Sequence, residues 1–181
     1  MPNMVAFLRA INVGGRRVTN EELRAAVAGL GFQEVGTYRA SGNVLFADAG
    51  ASRAAVRARL EAGLQAALGY EVPTILRSGT EVAALVAGVP FTADQRAASE
   101  GKVQVTLLAA PPDASARAEV LSHATAEDPL GFGPSALYWL PSAGVLDSAL
   151  DHEAIGRVLG LGTVRTVGTL QGVSRRCGAA G

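Results

Sequence analysis

Three arginines and two adjacent glycines fall within nine residues near the start of the chain: Leu8-Arg9-Ala10-Ile11-Asn12-Val13-Gly14-Gly15-Arg16-Arg17. Guanidinium groups carry a permanent charge and fork-shaped donors that match phosphate and carboxylate oxygens. Glycines let the backbone amides approach a ligand closely. The chemistry this pattern could perform is therefore anion binding, and the competing reading is a turn that only glycine tolerates. A second unusual stretch, Tyr38-Arg39-Ala40-Ser41-Gly42-Asn43-Val44, adds another arginine beside a Ser-Gly-Asn turn. Arg165, just before the last helix, offers a further cation. The candidate ligand-binding set is Arg9, Asn12, Gly14, Gly15, Arg16, Arg17, Arg39, Ser41, Gly42, Asn43 and Arg165. No Lys-Ser/Thr follows the glycines and no Gly-x-Gly-x-x-Gly spacing is present, so neither nucleotide-loop fingerprint applies.

The elements that must position these residues follow from periodicity. Met4 to Ile11 is apolar on both alternating faces apart from Arg9, as in a central strand covered on both sides. A charge inside such a strand needs a partner, either a ligand or a structural carboxylate. Thr19-Asn20-Glu21-Glu22 has capping-box spacing, and Leu23, Ala26, Val27 and Leu30 then recur at helical spacing before Gly31. Val35 to Ala40 and Val44 to Ala47 form a hairpin around Ser41-Gly42-Asn43. Ser52 caps a helix with Val56, Leu60, Leu64 and Leu68 on one face, Gly69 stops it, and Val72 to Arg77 is a strand that Pro73 places near an edge. Strand, helix, strand, strand, helix, strand is the split ferredoxin-like order. Its topology brings the ends of the first and second strands and the start of the third to one edge.

After a short helix opened by Ser78-Gly79-Thr80-Glu81, residues 89–101 read as a linker. The order then recurs. Lys102 to Ala110 is a strand and a helix runs to His123. A weak strand lies within 125–132, Ala136 to Leu140 is a strand, and Asp151 to Gly160 is a helix. Gly162 to Arg165 is a short strand, and a last helix starts near Thr166. The expected architecture is α+β: two ferredoxin-like halves, 1–88 and 89–181, each an antiparallel sheet with helices on one face.

Other chemistry is thin. His123, His152 and Cys177 do not make a zinc set, and no metal is expected. Arg175-Arg176 could lower the Cys177 pKa, although Cys177 reads better as an incidental thiol. Ser148 lacks any nucleophile context and reads as a turn residue. Thr166 and Thr169 read as cap residues, although an anion at that helix start is an alternative. Tyr138 and Trp139 alternate on one strand, so one should enter the core and the other face outward. Lys and Arg total 16 and so do Asp and Glu, a balance that disfavours a coat of nucleic acid or an anionic membrane partner. A 49% hydrophobic share makes a core affordable, the single cysteine fits a reducing cytoplasm, and no apolar run approaches the roughly 20 residues of a membrane span.

Leu8-Arg9-Ala10-Ile11-Asn12-Val13-Gly14-Gly15, Leu23-Arg24, Gly31-Phe32, Thr37-Tyr38 and Ser41-Gly42-Asn43-Val44 resemble a widespread bacterial family catalogued only as a domain of unknown function. Its members typically have glycine where this chain has Ala10 and Ile-Gln where it has Arg39-Ala40. Near the end, Ser148, Thr163, Arg165 and Thr169 match the family pattern, while its usual lysine, asparagine and tryptophan are missing. The resemblance implies two ferredoxin-like halves and brings no activity, substrate or cofactor. Two functional readings stand beside a purely structural or interaction role. One is a non-catalytic module for an anionic small molecule; the other is a small enzyme acting on a phosphorylated or acidic metabolite.

Overall fold

A computed structural model describes residues 1–12, 14–39, 42–47, 50–100 and 102–178. It is a mixed α+β chain with two four-stranded antiparallel sheets. In chain order the first set of elements is β1 (Met4–Leu8), α1 (Asn20–Gly29), β2 (Gln33–Thr37), β3 (Asn43–Ala47), α2 (Arg53–Leu68) and β4 (Thr74–Ser78). Two helices follow, α3 (Gly79–Ala87) and α4 (Ala93–Ala98). The second set is β5 (Gln104–Leu108), α5 (Ala114–Leu121), β6 (Leu130–Phe132), β7 (Ala136–Trp139), α6 (His152–Leu159) and β8 (Gly162–Thr166), before the terminal helix α7 (Val167–Arg176). The sheets are ordered β2-β3-β1-β4 and β6-β7-β5-β8. The segment expected to be a bare linker contains α4, whose Thr92 and Gln95 form a reciprocal cap.

Packing groups the chain into two compact units, Met1–Ala84 with Gln171–Gly181, and Leu85–Leu170. In the first unit, alternate residues Met4, Ala6 and Leu8 of β1 join Leu23 and Val27 of α1 and Val56, Leu60 and Leu64 of α2 in one apolar core. Period 2 in the strand and period 3.6 in the helices bring these positions onto facing surfaces. The other β1 face, Val5 and Phe7, is fully buried as well, so the strand is covered on both sides. In the second unit Val120, Leu137 and Ile155 form the corresponding cluster between α5, β7 and α6.

The cap signals form as hydrogen bonds. Thr19 Oγ1 accepts from the Glu22 amide while Glu22 accepts from the Thr19 amide. Ser78 and Glu81 make the same exchange at the start of α3, and Thr166 Oγ1 accepts from the Thr169 amide at the start of α7. Tyr138 and Trp139 are both buried, against the expectation that one faces outward. Each finds an acceptor inside: the Tyr138 hydroxyl donates to the Leu85 carbonyl at 2.7 Å and Trp139 Nε1 donates to Asp128 at 2.7 Å. That satisfaction removes the cost of burying their polar tips, and neither ring is left to stack on a nucleobase.

Candidate functional site

Strand β1 ends at Leu8, one residue before its arginine. Ala10 adopts φ +55°, a left-handed conformation that turns the chain out of the sheet. Arg9 is therefore exposed rather than enclosed in the strand, and the buried-charge argument for it falls. Its backbone amide still donates to the Pro73 carbonyl at 2.9 Å, which fixes the start of the loop against the segment entering β4. The Tyr70 hydroxyl donates to the Ile11 carbonyl at 2.9 Å and ties the loop to the residues after α2.

The two sequence stretches do meet. The Leu8 amide donates to the Gly42 carbonyl at 2.8 Å, and Asn43 pairs with Phe7 across the β1–β3 ladder. A Cβ on Gly42 would sit 3.0 Å from Ile11 Cγ2 and 3.1 Å from Leu8 Cβ, and its φ is +70°. The left-handed φ favours glycine there, and the close side chains leave little room for a Cβ. Asn43 is fully buried and its Nδ2 donates to the Tyr38 carbonyl at 2.8 Å, so it holds the hairpin. Asn12 accepts from the Val18 amide at 2.8 Å and closes the glycine loop. Ser41 lies outside the described residues.

Gly14 and Gly15 have φ of +64° and +82°, and no atom lies within 4 Å of where a Cβ would be on either. Conformation, not crowding, explains them. At the start of α1 the capping box takes up two backbone amides: the Thr19 amide donates to the Glu22 carboxylate and the Glu22 amide to Thr19 Oγ1. Hydrogen bonds from the Thr19 amide and then its hydroxyl hold that carboxyl below the usual range.

Arg16 and Arg17 line an open cleft of about 550 Å³ with Val18, Glu22, Ala25, Ala26, Ala67, Leu68 and Tyr70. The Arg16 guanidinium lies 4.2 Å from the centre of the Tyr70 ring, a cation–π contact. Among the described residues, no carboxylate lies within ion-pair distance of Arg9, Arg16 or Arg17, whereas Arg53 pairs with Glu81 and Arg157 with Glu153. The helices on either side thus supply a small-residue floor, and the loop supplies the charge.

The remaining candidates are placed elsewhere. Arg39, at φ +57°, stands 5.5 Å from the centre of the Tyr38 ring, and Arg176 stands 5.0 Å from the same ring. Arg176 also donates to the Thr37 carbonyl at 3.2 Å. A Cβ on Gly172 would fall on the Tyr38 ring tip, so that glycine makes room for the ring. This cluster fastens the end of α7 to the edge strand of its own unit. Arg165 belongs to the second unit and is buried. Its Nη1 donates to Thr163 Oγ1 at 2.9 Å and to the Val164 carbonyl at 2.7 Å, and burial lowers its pKa to about 10, still a cation at neutral pH.

Sequence reading missed Tyr70, Glu22 and the alanines of the cleft. Gly69-Tyr70 carried the signal, an aromatic just past a helix stop, but only the tertiary fold brings it to the loop. It also missed Arg77, buried on β4 as Arg165 is on β8. Burial pushes the Cys177 thiol pKa up, so the neighbouring arginines do not activate it.

The fold and the loop define an α+β chain of two similar sheets with an arginine–glycine junction on the first. The chain belongs to the family described as "Protein of unknown function (DUF1697)", which matches residues 1–138. It is similar in structure to a conserved bacterial protein from Streptococcus pneumoniae, with a TM-score of 0.72 at 20% identity, covering 98% of this chain and 99% of that one. That likeness concerns the fold alone. No curated protein matches.

Proposed function

We propose that this protein is a non-catalytic module that binds an anionic small molecule, a phosphate or carboxylate, at the junction of β1 and α1. Arg9, Arg16 and Arg17 supply the charge, and Gly14 and Gly15 supply exposed amides. Asn12, Gly42 and Asn43 hold the loop in place. The observation that carries the reading is the set of three exposed guanidinium groups with no carboxylate in ion-pair reach among the described residues. A bound anion would supply the counter-charge that these guanidinium groups lack.

The same reading takes the chain as a duplication of one ferredoxin-like unit, in halves 1–88 and 89–181, of bacterial and cytoplasmic setting. The shared strand order supports the duplication, as does the matching register of Arg77 opposite Val5 and Arg165 opposite Val105. The single cysteine supports a reducing compartment.

Thermal-shift titration with inorganic phosphate, pyrophosphate, citrate and nucleotides tests the binding claim. A ligand at a hundredfold excess over its Kd should raise the Tm by about 5–10 °C. The doubly substituted Arg16→Ala/Arg17→Ala protein should keep its fold and lose the shift. An unshifted Tm with every anion, or a shift that survives the double substitution, overturns the reading.

A further inference from the structure

The cleft is not uniformly polar, and its layout narrows the class of ligand. Its floor is aliphatic and low: Ala25 and Ala26 from α1, and Ala67 and Leu68 from α2. Ala26, Leu68, Tyr70 and Val18 are also the outer layer of the first unit's apolar core, so core surface is open to the cleft at this point. Methyl groups in place of longer side chains leave a shallow, flat bed. One wall is the Arg16–Tyr70 stack, whose ring is fixed at its hydroxyl by the Ile11 carbonyl. The opposite polarity sits at Glu22. Its Oε2 accepts from both the amide and the hydroxyl of Thr19, which leaves Oε1 as the second acceptor of a residue that lines the cleft. The hydrogen bonds that hold the Glu22 pKa down keep this carboxylate ionised at neutral pH.

Inorganic phosphate or a small dicarboxylate would use the arginines and waste the floor, and it would be repelled by Glu22. The complementary molecule has an anion at one end, a flat apolar body, and an N–H donor toward the other end. We infer that the cleft takes an anionic ligand with a planar, donor-bearing body, of the chemical class to which nucleoside monophosphates belong. The anionic group meets Arg16 and Arg17, the planar ring lies over Ala26, Ala67 and Leu68, and an N–H of the base, the exocyclic amine of adenine or the ring N–H of uracil, donates to Glu22 Oε1. The volume of about 550 Å³ lies within the usual range for small-molecule sites. Covering the face of a base with these aliphatic groups adds affinity that the phosphate alone lacks. This inference rests on the anion reading and adds the body of the ligand to it.

Isothermal titration of the full chain with AMP, UMP, ribose 5-phosphate and inorganic phosphate tests it. The base-bearing ligands should bind at least about tenfold more tightly than ribose 5-phosphate. Ala67 is exposed, so Ala67→Trp fills the bed without touching the core. That variant should bring AMP down to the affinity that ribose 5-phosphate has for the native chain. Equal affinity of AMP, UMP and ribose 5-phosphate for the native chain overturns the planar-body inference and leaves anion binding standing. Undiminished AMP binding by Ala67→Trp also overturns it, since the bed would then not hold the ring. No binding by any of the four removes the anion reading and this inference together.

Discussion

The first and second units solve the same topological problem with different strand-to-helix junctions. In each, a central strand of five residues ends in leucine, Leu8 in β1 and Leu108 in β5. In the first unit the junction spans residues 9–19 and holds three arginines and two left-handed glycines. In the second it spans 109–113, reads Ala-Ala-Pro-Pro-Asp, and carries no cation. Proline pre-sets the short turn, and Asp113 caps α5 by accepting from the Ala116 amide. The short junction has all it needs to connect a strand to a helix. The extra length, glycine and charge of the long one are therefore surplus to connection, and that surplus is what the proposed anion site would use.

Where the units agree, the shared feature should be structural. Arg77 opposite Val5 and Arg165 opposite Val105 occupy the same register on equivalent edge strands, and each is 8% exposed. Each donates Nη1 to the carbonyl of the residue before it, at 2.8 and 2.7 Å. Arg77→Ala and Arg165→Ala should each cost about 2–4 kcal/mol, from lost charged hydrogen bonds and a cavity. Urea denaturation measures this. A loss in one variant and none in the other would break the equivalence of the two sheets.

The junctions should respond oppositely to one substitution. Ala10 has φ +55°, while Ala110, at the same distance past its strand, is not in the left-handed region. Ala10→Gly should stabilise by about 0.5–1 kcal/mol, since the backbone strain exceeds the entropy that glycine adds to the unfolded chain. Ala110→Gly should destabilise by about the same amount. A shared sign in thermal denaturation would mean that the left-handed turn does not distinguish the loops.

The smallest expected difference concerns acid. The helix after β4 is capped by the Ser78–Glu81 exchange, and the helix after β8 by the uncharged pair Thr166 and Thr169. Burial pushes the Glu81 pKa up. The Arg53 guanidinium and the Ser78 amide and hydroxyl outweigh it and hold the carboxyl at about 2. A folded pKa below the unfolded value means that the contribution is complete above about pH 4.5 and is lost as pH falls toward 2. Because the Arg53 and Glu81 side chains are both partly exposed, the slope should be shallow and weaken with salt. Glu81→Gln should flatten the stability profile between pH 4.5 and 2, and Thr169→Ala should leave its shape unchanged. A profile unaltered by Glu81→Gln would take the acid sensitivity away from the first cap.

Much of this architecture was legible as local pattern. The caps at Thr19, Ser52, Ser78 and Thr166 are short-range exchanges between residues three apart, so spacing alone reveals them. The alternation in β1 and the helical repeats of α1 and α2 report burial directly. The meeting of Gly42 with Leu8 and Ile11 followed from topology, because a right-handed crossover leaves one arrangement for the strands. Arg9 misled because an apolar run does not say where the strand stops; the left-handed Ala10 does, and alanine gives no warning of that conformation. Tyr138 and Trp139 misled because alternation places side chains on opposite faces but does not say whether both faces are covered.

The sequence by itself determined which residues form strands and helices, where the helices begin, and that charge and glycine concentrate at one junction. Those properties depend on neighbours a few positions apart. Tertiary structure alone decided that Arg16 and Arg17 border a cleft floored by Ala26, Ala67 and Leu68, that Tyr70 rather than Arg39 stands beside them, and that Glu22 closes the helix start. Those depend on residues some fifty positions apart meeting across the packed faces of α1 and α2, where small differences in side-chain size set the shape of the space.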